Sequence, residues 1–177
     1  VPYFHEQAGE SDSELVARIR ARRGGTLLNL DRMLLNSPSF ATGWNAHLGA
    51  VRTLLSVPPK LRELAICAVA VLNGADYELD HHAPELLRAG GSAQQLEALK
   101  ALDPLCLDTT LFDAVELAVL ALTIEMTRNV RVSDATFDRA LAAMRDVQQV
   151  VELVGVIATY NMVSRFLVAL EVDPENP

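Results

Sequence analysis

"ELAICAVAVLNGADYELDHHAPELLRAG", residues 63–90, is the stretch that decides the fold of this chain. An apolar run from Leu64 to Leu72 leads into Asn73-Gly74, and a titratable segment follows with His81, His82, Asp76, Glu78, Asp80 and Glu85. No two-residue alternation is sustained here, so both halves read as helix. The first half ends at Asn73-Gly74 and the second at Gly90-Gly91, glycine being the usual residue just past a helix C-terminus. Pro84 is expected to kink the second half or divide it into two pieces. Residues four apart share a helix face, so Glu78 neighbours His82 and His81 neighbours Glu85. His81 and His82 are turned about 100° from each other and cannot address one site. If the two helices pack antiparallel, Glu63 lies deep in a mainly apolar helix, where a carboxylate needs a partner. His82 is the candidate.

The same helical period continues on either side. Segment 11–22 has Ser11 and Glu14 in capping-box spacing. Segment 24–38 repeats Leu27, Leu30 and Leu34 at three and four residues between Gly24-Gly25 and Pro38. Segment 38–55 has Ser37 as its cap and Pro38 in its first turn. Further helices are expected over 92–102, over 109–129, over 133–146 with Ser133 as cap, and over 147–172. The expected architecture is all-α, a single-domain helical bundle of about eight or nine helices over residues 1–177, with a polar N-terminal segment 1–10. Segments 58–74 and 110–129 look too apolar to have a wet face, which points to a subunit interface as well as a core.

Half of the 177 residues are hydrophobic, enough for one buried core, and the formal net charge is −8. That charge disfavours nucleic acid as a partner. The one cationic run, "RIRARR" (18–23), reads as a solvated helix face. Cys67 and Cys106 fit no zinc spacing and read as reduced, buried thiols. The uninterrupted apolar runs fall short of the ~18 residues that span a bilayer, so no membrane partner is expected. The polar, acidic opening "VPYFHEQAGESDSE" does not read as a signal peptide, and the expected location is cytoplasmic.

The quoted stretch resembles the core of the carboxymuconolactone decarboxylase / alkylhydroperoxidase D-like family. Peroxidase members of that family carry a Glu, a CxxC pair, and a His four residues after the second Cys. Glu63 and His82 fall in register with that pattern, while Ala75 and Glu78 stand at the two cysteine positions. "YELDHH" (77–82) is closer to the decarboxylase-like branch, with Leu79 where Trp is common. The likeness is clearest over 58–91 and weaker at 37–52 and 160–172. It implies an alkylhydroperoxidase D-like fold assembled as a homo-oligomer, a trimer, a hexamer or a dimer. It also implies that Glu63, Glu78 and His82 surround a pocket near a subunit boundary.

The leading reading is a cofactor-free lyase or isomerase acting on a small carboxylated lactone or related acid. His82 would supply the proton, tuned by Glu63 or Glu78. Arg165, beside Tyr160 and Asn161 in an otherwise apolar helix, would help hold the substrate, and so would Tyr160 and Trp44. An ion pair with a buried acid is the plainer reading of Arg165, and packing is the plainer reading of Trp44. Asp76 and Asp80 are expected to be solvated or capping, and His81 solvated or at an interface. A thiol peroxidase is the alternative that Ala75 and Glu78 weaken. Glu78-x-x-His81 has the spacing of di-metal bundles but lacks a second such motif, so no metal is expected. A non-catalytic, small-molecule-binding oligomer, with Trp44 and His47 lining its pocket, is a further alternative. No Gly-rich phosphate loop is present, and no cofactor is expected.

Overall fold

A computed structural model describes residues 1–4, 14–101 and 108–175, apart from the side chain of Thr109. Nine α-helices form among them: α1 (Glu14–Arg23), α2 (Asn29–Leu34), α3 (Pro38–Thr53), α4 (Pro59–Asn73), α5 (Asp76–Arg88), α6 (Ala93–Lys100), α7 (Ala114–Asn129), α8 (Asp134–Met144) and α9 (Val147–Ala169). There is no strand among the described residues. The fold class is all-α, as the helical period requires. The chain falls into two compact units, Val1–Leu54 with Leu170–Pro177, and Leu55–Ala169.

In the first unit, segment 24–38 does not form the continuous helix expected of it. Gly24 and Gly25 take positive φ values of 77° and 109°, and α2 is confined to six residues. The cationic run is also not merely solvated. Arg22 and Arg23 both turn onto Asp31, which is buried, and Arg22 Nε donates to Asn45 Oδ1 at 2.6 Å. A buried carboxylate must be compensated, and these two guanidinium groups supply that. Ser11, the expected cap of α1, lies outside the described residues.

The second unit is built around α4, which packs against α5, α6, α7 and α9. Glu63 to Ala70 are all buried, so α4 is enclosed by its own chain. Gly74 ends α4 in the left-handed conformation (φ 63°), and the Ala75 N–H closes on the Ala70 carbonyl at 2.9 Å. This turn folds α5 back along α4. Pro84 does not divide α5, which runs unbroken to Arg88. The proline removes a bond to the Asp80 carbonyl four residues back, but both residues lie on the exposed face, where water can serve that carbonyl. Beyond Arg88, Gly90 (φ 96°) and a Gly91 N–H bond to the Leu86 carbonyl at 2.8 Å close the end.

The expected single helix 109–129 is two pieces. A 3₁₀ turn at Thr109–Leu111 leads to extended Phe112, and α7 begins only at Ala114. Asp113 forces the break because its side chain accepts from the Val115 and Glu116 N–H groups, each at 2.8 Å. α9 is the only described helix long and apolar enough to cross a bilayer by length and composition, which the short uninterrupted runs did not suggest. Half of its apolar window is buried inside the fold, against α4, α7 and α8, as in a core helix.

Candidate active site

The α4–α5 turn brings Glu63, His82 and Glu78 together. His82 Nδ1 lies 2.6 Å from Glu63 Oε2, and His82 Nε2 lies 3.3 Å from Glu78 Oε2. The first contact spans the two helices, and the second is the four-residue spacing along α5. All three side chains are nearly closed to solvent: Glu63 is 5% exposed, Glu78 4% and His82 3%. Arg62 Nε reaches Glu63 Oε1 at 3.2 Å, so Glu63 is held from both sides. The Tyr160 ring of α9 meets the His82 ring edge-on, with centroids 5.0 Å apart and planes at 86°.

The electrostatics follow from these contacts. Burial alone would pull the His82 pKa down, but its hydrogen bonds to Glu63 and Glu78 and their charges outweigh burial and raise it. Burial would likewise raise the Glu63 carboxyl. The hydrogen bond and charge of His82, and then Arg62, hold it below the usual carboxylate value instead. The cluster therefore favours the protonated form of His82 between two carboxyl groups, with Arg62 on the other side of Glu63. Cys67, one turn along α4 from Glu63, is buried among Leu64, Leu86, Leu99 and Leu120. Burial, then the charges of Glu63 and Glu78, push its thiol up to about 12. Near neutral pH it is a thiol and not a thiolate.

Among the residues singled out from the sequence, the structure brings Glu63, Glu78, His82 and Tyr160 into one cluster. Arg165 is exposed on α9, with Nη1 donating to Asn161 Oδ1 at 2.6 Å and to the Asn161 carbonyl at 3.0 Å. Its contact is thus an amide and not a buried acid. Trp44 belongs to the first unit, where it is buried with its ring edge-on to Phe40. His47 is exposed. Asp76 and Asp80 are exposed too. His81 donates through Nδ1 to the Tyr77 carbonyl at 2.8 Å and stacks on the Tyr77 ring. Cys106 lies outside the described residues. Sequence reasoning missed Arg62, although a cation directly beside a buried acid in "LRELA" was a readable signal.

Residues 38–120 match the model of the carboxymuconolactone decarboxylase family. No curated protein matches the chain. Among solved structures, an uncharacterized peroxidase-related protein from Silicibacter sp. aligns with a TM-score of 0.74 at 17% identity, over 89% of this chain and 81% of that one. A protein of unknown function from Agrobacterium tumefaciens, assigned provisionally to AhpD-type antioxidant defence, aligns at 0.71 and 18% identity, over 80% and 94%. A cysteine-to-alanine variant of the debrominase Bmp8, in complex with 2,3,4-tribromopyrrole, aligns at 0.79 and 16% identity, over 99% and 92%. At such identities the likeness establishes the shared AhpD-like all-α fold, and one fold serves many chemistries.

Proposed function

We propose that this carboxymuconolactone decarboxylase-family chain is a cofactor-free lyase or isomerase acting on a small carboxylated lactone or a related acid, with His82 as the proton carrier. The observation that supports this is the placement of His82 between two buried carboxylates, one on each ring nitrogen. Glu63 takes the shorter bond and so sets the tautomer and orientation of the ring. The Glu78 side, at 3.3 Å, is the looser contact and the one a substrate can open. In a decarboxylation the C–C bond to the carboxylate breaks, CO₂ leaves, and the electron pair stays on the lactone as an enolate. The His82 imidazolium donates its Nε2 proton to the enolate carbon, and water then reprotonates His82. Such a group contributes about 10²–10⁴-fold.

A thiol peroxidase is the weaker reading. Glu78 stands where the family's second cysteine would be, and the Cys67 thiol, with a pKa near 12, is held away from the nucleophilic form. The deciding experiment is turnover of 4-carboxymuconolactone by the wild type, His82→Ala and Glu78→Gln. The expected result is CO₂ release that falls at least about 10²-fold in both variants. An inert wild type, or a His82→Ala variant with undiminished turnover, would overturn the proposal.

A further inference from the structure

The decarboxylation proposed above uses one side of His82 and leaves a neighbour idle. Glu78 is 4% exposed, and its Oε2 lies 3.3 Å from His82 Nε2, the nitrogen that gives up the proton. Loss of CO₂ releases no proton for Glu78 to collect, and the enolate it leaves would face that carboxylate. A carboxylate buried beside the working nitrogen is costly and needs a partner or a task. The rest of the cluster keeps proton exchange on this side of the ring. Glu63 holds Nδ1 at 2.6 Å and is itself held by Arg62, and the Tyr160 ring meets the imidazole edge-on. An acid and a base therefore sit side by side, both buried, across the looser of the two contacts.

We propose that this site catalyses the keto–enol tautomerisation of a small enolisable carbonyl compound, with His82 as the acid and Glu78 as the base. This rests on the reading of His82 as the proton carrier and gives Glu78 the second proton. The two atoms of an enol that exchange protons are its oxygen and the carbon two bonds away. A single carbon separates them, so groups 3.3 Å apart can serve both at once. The enol O–H bond breaks and its proton passes to Glu78 Oε2. The pair left on oxygen forms the C=O bond, and the C=C pair takes the Nε2 proton to form the new C–H bond. The products are the ketone, neutral His82 and protonated Glu78. Glu78 then returns its proton to Nε2, which restores both groups without an external acid or base. The reacting end of the substrate begins and ends neutral, which suits a site with two buried carboxylates better than an anion does.

The probe is the enol of phenylpyruvate, whose conversion to the ketone is followed by loss of ultraviolet absorbance. Wild type is expected to accelerate it at least about 10²-fold over buffer. Glu78→Gln and His82→Gln should each bring it back to the buffer rate with helical circular dichroism unchanged, while Glu116→Gln should match wild type. A further readout needs no variant. In D₂O a single fixed donor labels one face of the enol carbon, so the product, trapped by rapid reduction, should carry deuterium in one configuration. A wild type that leaves the enol at its buffer rate, a Glu78→Gln protein as fast as wild type, or deuterium equally on both faces would each overturn the inference. The two readings fail separately. Decarboxylation of 4-carboxymuconolactone without enol turnover would sink tautomerisation alone. Enol turnover with an inert lactone would uphold it and sink the decarboxylation.

Discussion

Two buried carboxylate clusters in the second unit, both touching α4, differ in what their partners can do. Glu116, at the start of α7, is 3% exposed and accepts from Gln95 Nε2 at 2.9 Å and from the Asp113 N–H at 3.0 Å, with Lys60 of α4 paired to its other oxygen. An amide, a backbone N–H and an ammonium all point at this carboxylate and clamp it in place. Glu63, one turn along α4 from Lys60, is as deeply buried, but its partner is an imidazole. That partner can take up and release a proton, with its pKa raised above the ordinary histidine value, and a second carboxylate waits on its far side. Equal burial thus gives a structural clamp in one place and a group that can move a proton in the other.

The hardest blow to this contrast is His82→Ala. It leaves two buried carboxylates with the ring removed, and stability is expected to fall by about 3–5 kcal/mol in urea unfolding. Turnover, if the proposed chemistry holds, falls with it. Glu116→Ala should cost less, about 1–3 kcal/mol, because what remains is an amide, an N–H and the Lys60 ammonium, which is 31% exposed and can turn to water. Its turnover should stay within about twofold of wild type, since no proton moves there. If Glu116→Ala abolished turnover while the variant stayed folded, the division into clamp and carrier would be wrong.

The next sharpest test is pH. The His82 pKa is raised on folding, so its stabilisation is full below the ordinary histidine value of 6.5 and is lost as pH rises through the raised value. The Glu63 pKa is lowered, so its share is full above the ordinary value of 4.5 and is lost as pH falls through the lowered value. The pair therefore contributes most between those two ordinary values. Thermal melts from pH 5 to 9 should show wild type losing stability on the alkaline side. Glu116→Gln should keep that slope and His82→Gln should flatten it. The smallest expected effect concerns Cys67. In a Cys106→Ser background, native protein at pH 7.5 should resist iodoacetamide, while urea-unfolded protein is alkylated readily. Rapid native labelling would mean that the thiol is reached and ionised, and would revive the peroxidase reading.

Much of the site was legible because it is local. Glu78 and His82 are four apart on one helix, and a single Asn-Gly turn separates their helix from that of Glu63, so periodicity and one C-cap signal sufficed. Arg165 was harder to read. Its place in an apolar helix suggested a buried charge, yet it lies on the exposed side and is tied to Asn161. Sequence also pointed to α4 and α7 as the helices that would meet another subunit, because both lack a wet face. The chain itself buries Glu63–Ala70 of α4 and Ala118, Val119, Leu120, Leu122 and Thr123 of α7.

By itself the sequence determined the helical class, the α4–α5 pair and the meeting of Glu63 with His82, since each depends on spacings of a few residues and on glycine at a helix end. The tertiary structure alone decided that Asp31 would be buried and would draw Arg22 and Arg23 off the surface, and that Tyr160 would close on His82. It also decided that Glu116 would be locked by Lys60 and Gln95. These outcomes depend on which faces of distant helices meet, and packing settles that through the joint burial of many side chains, which no local pattern encodes.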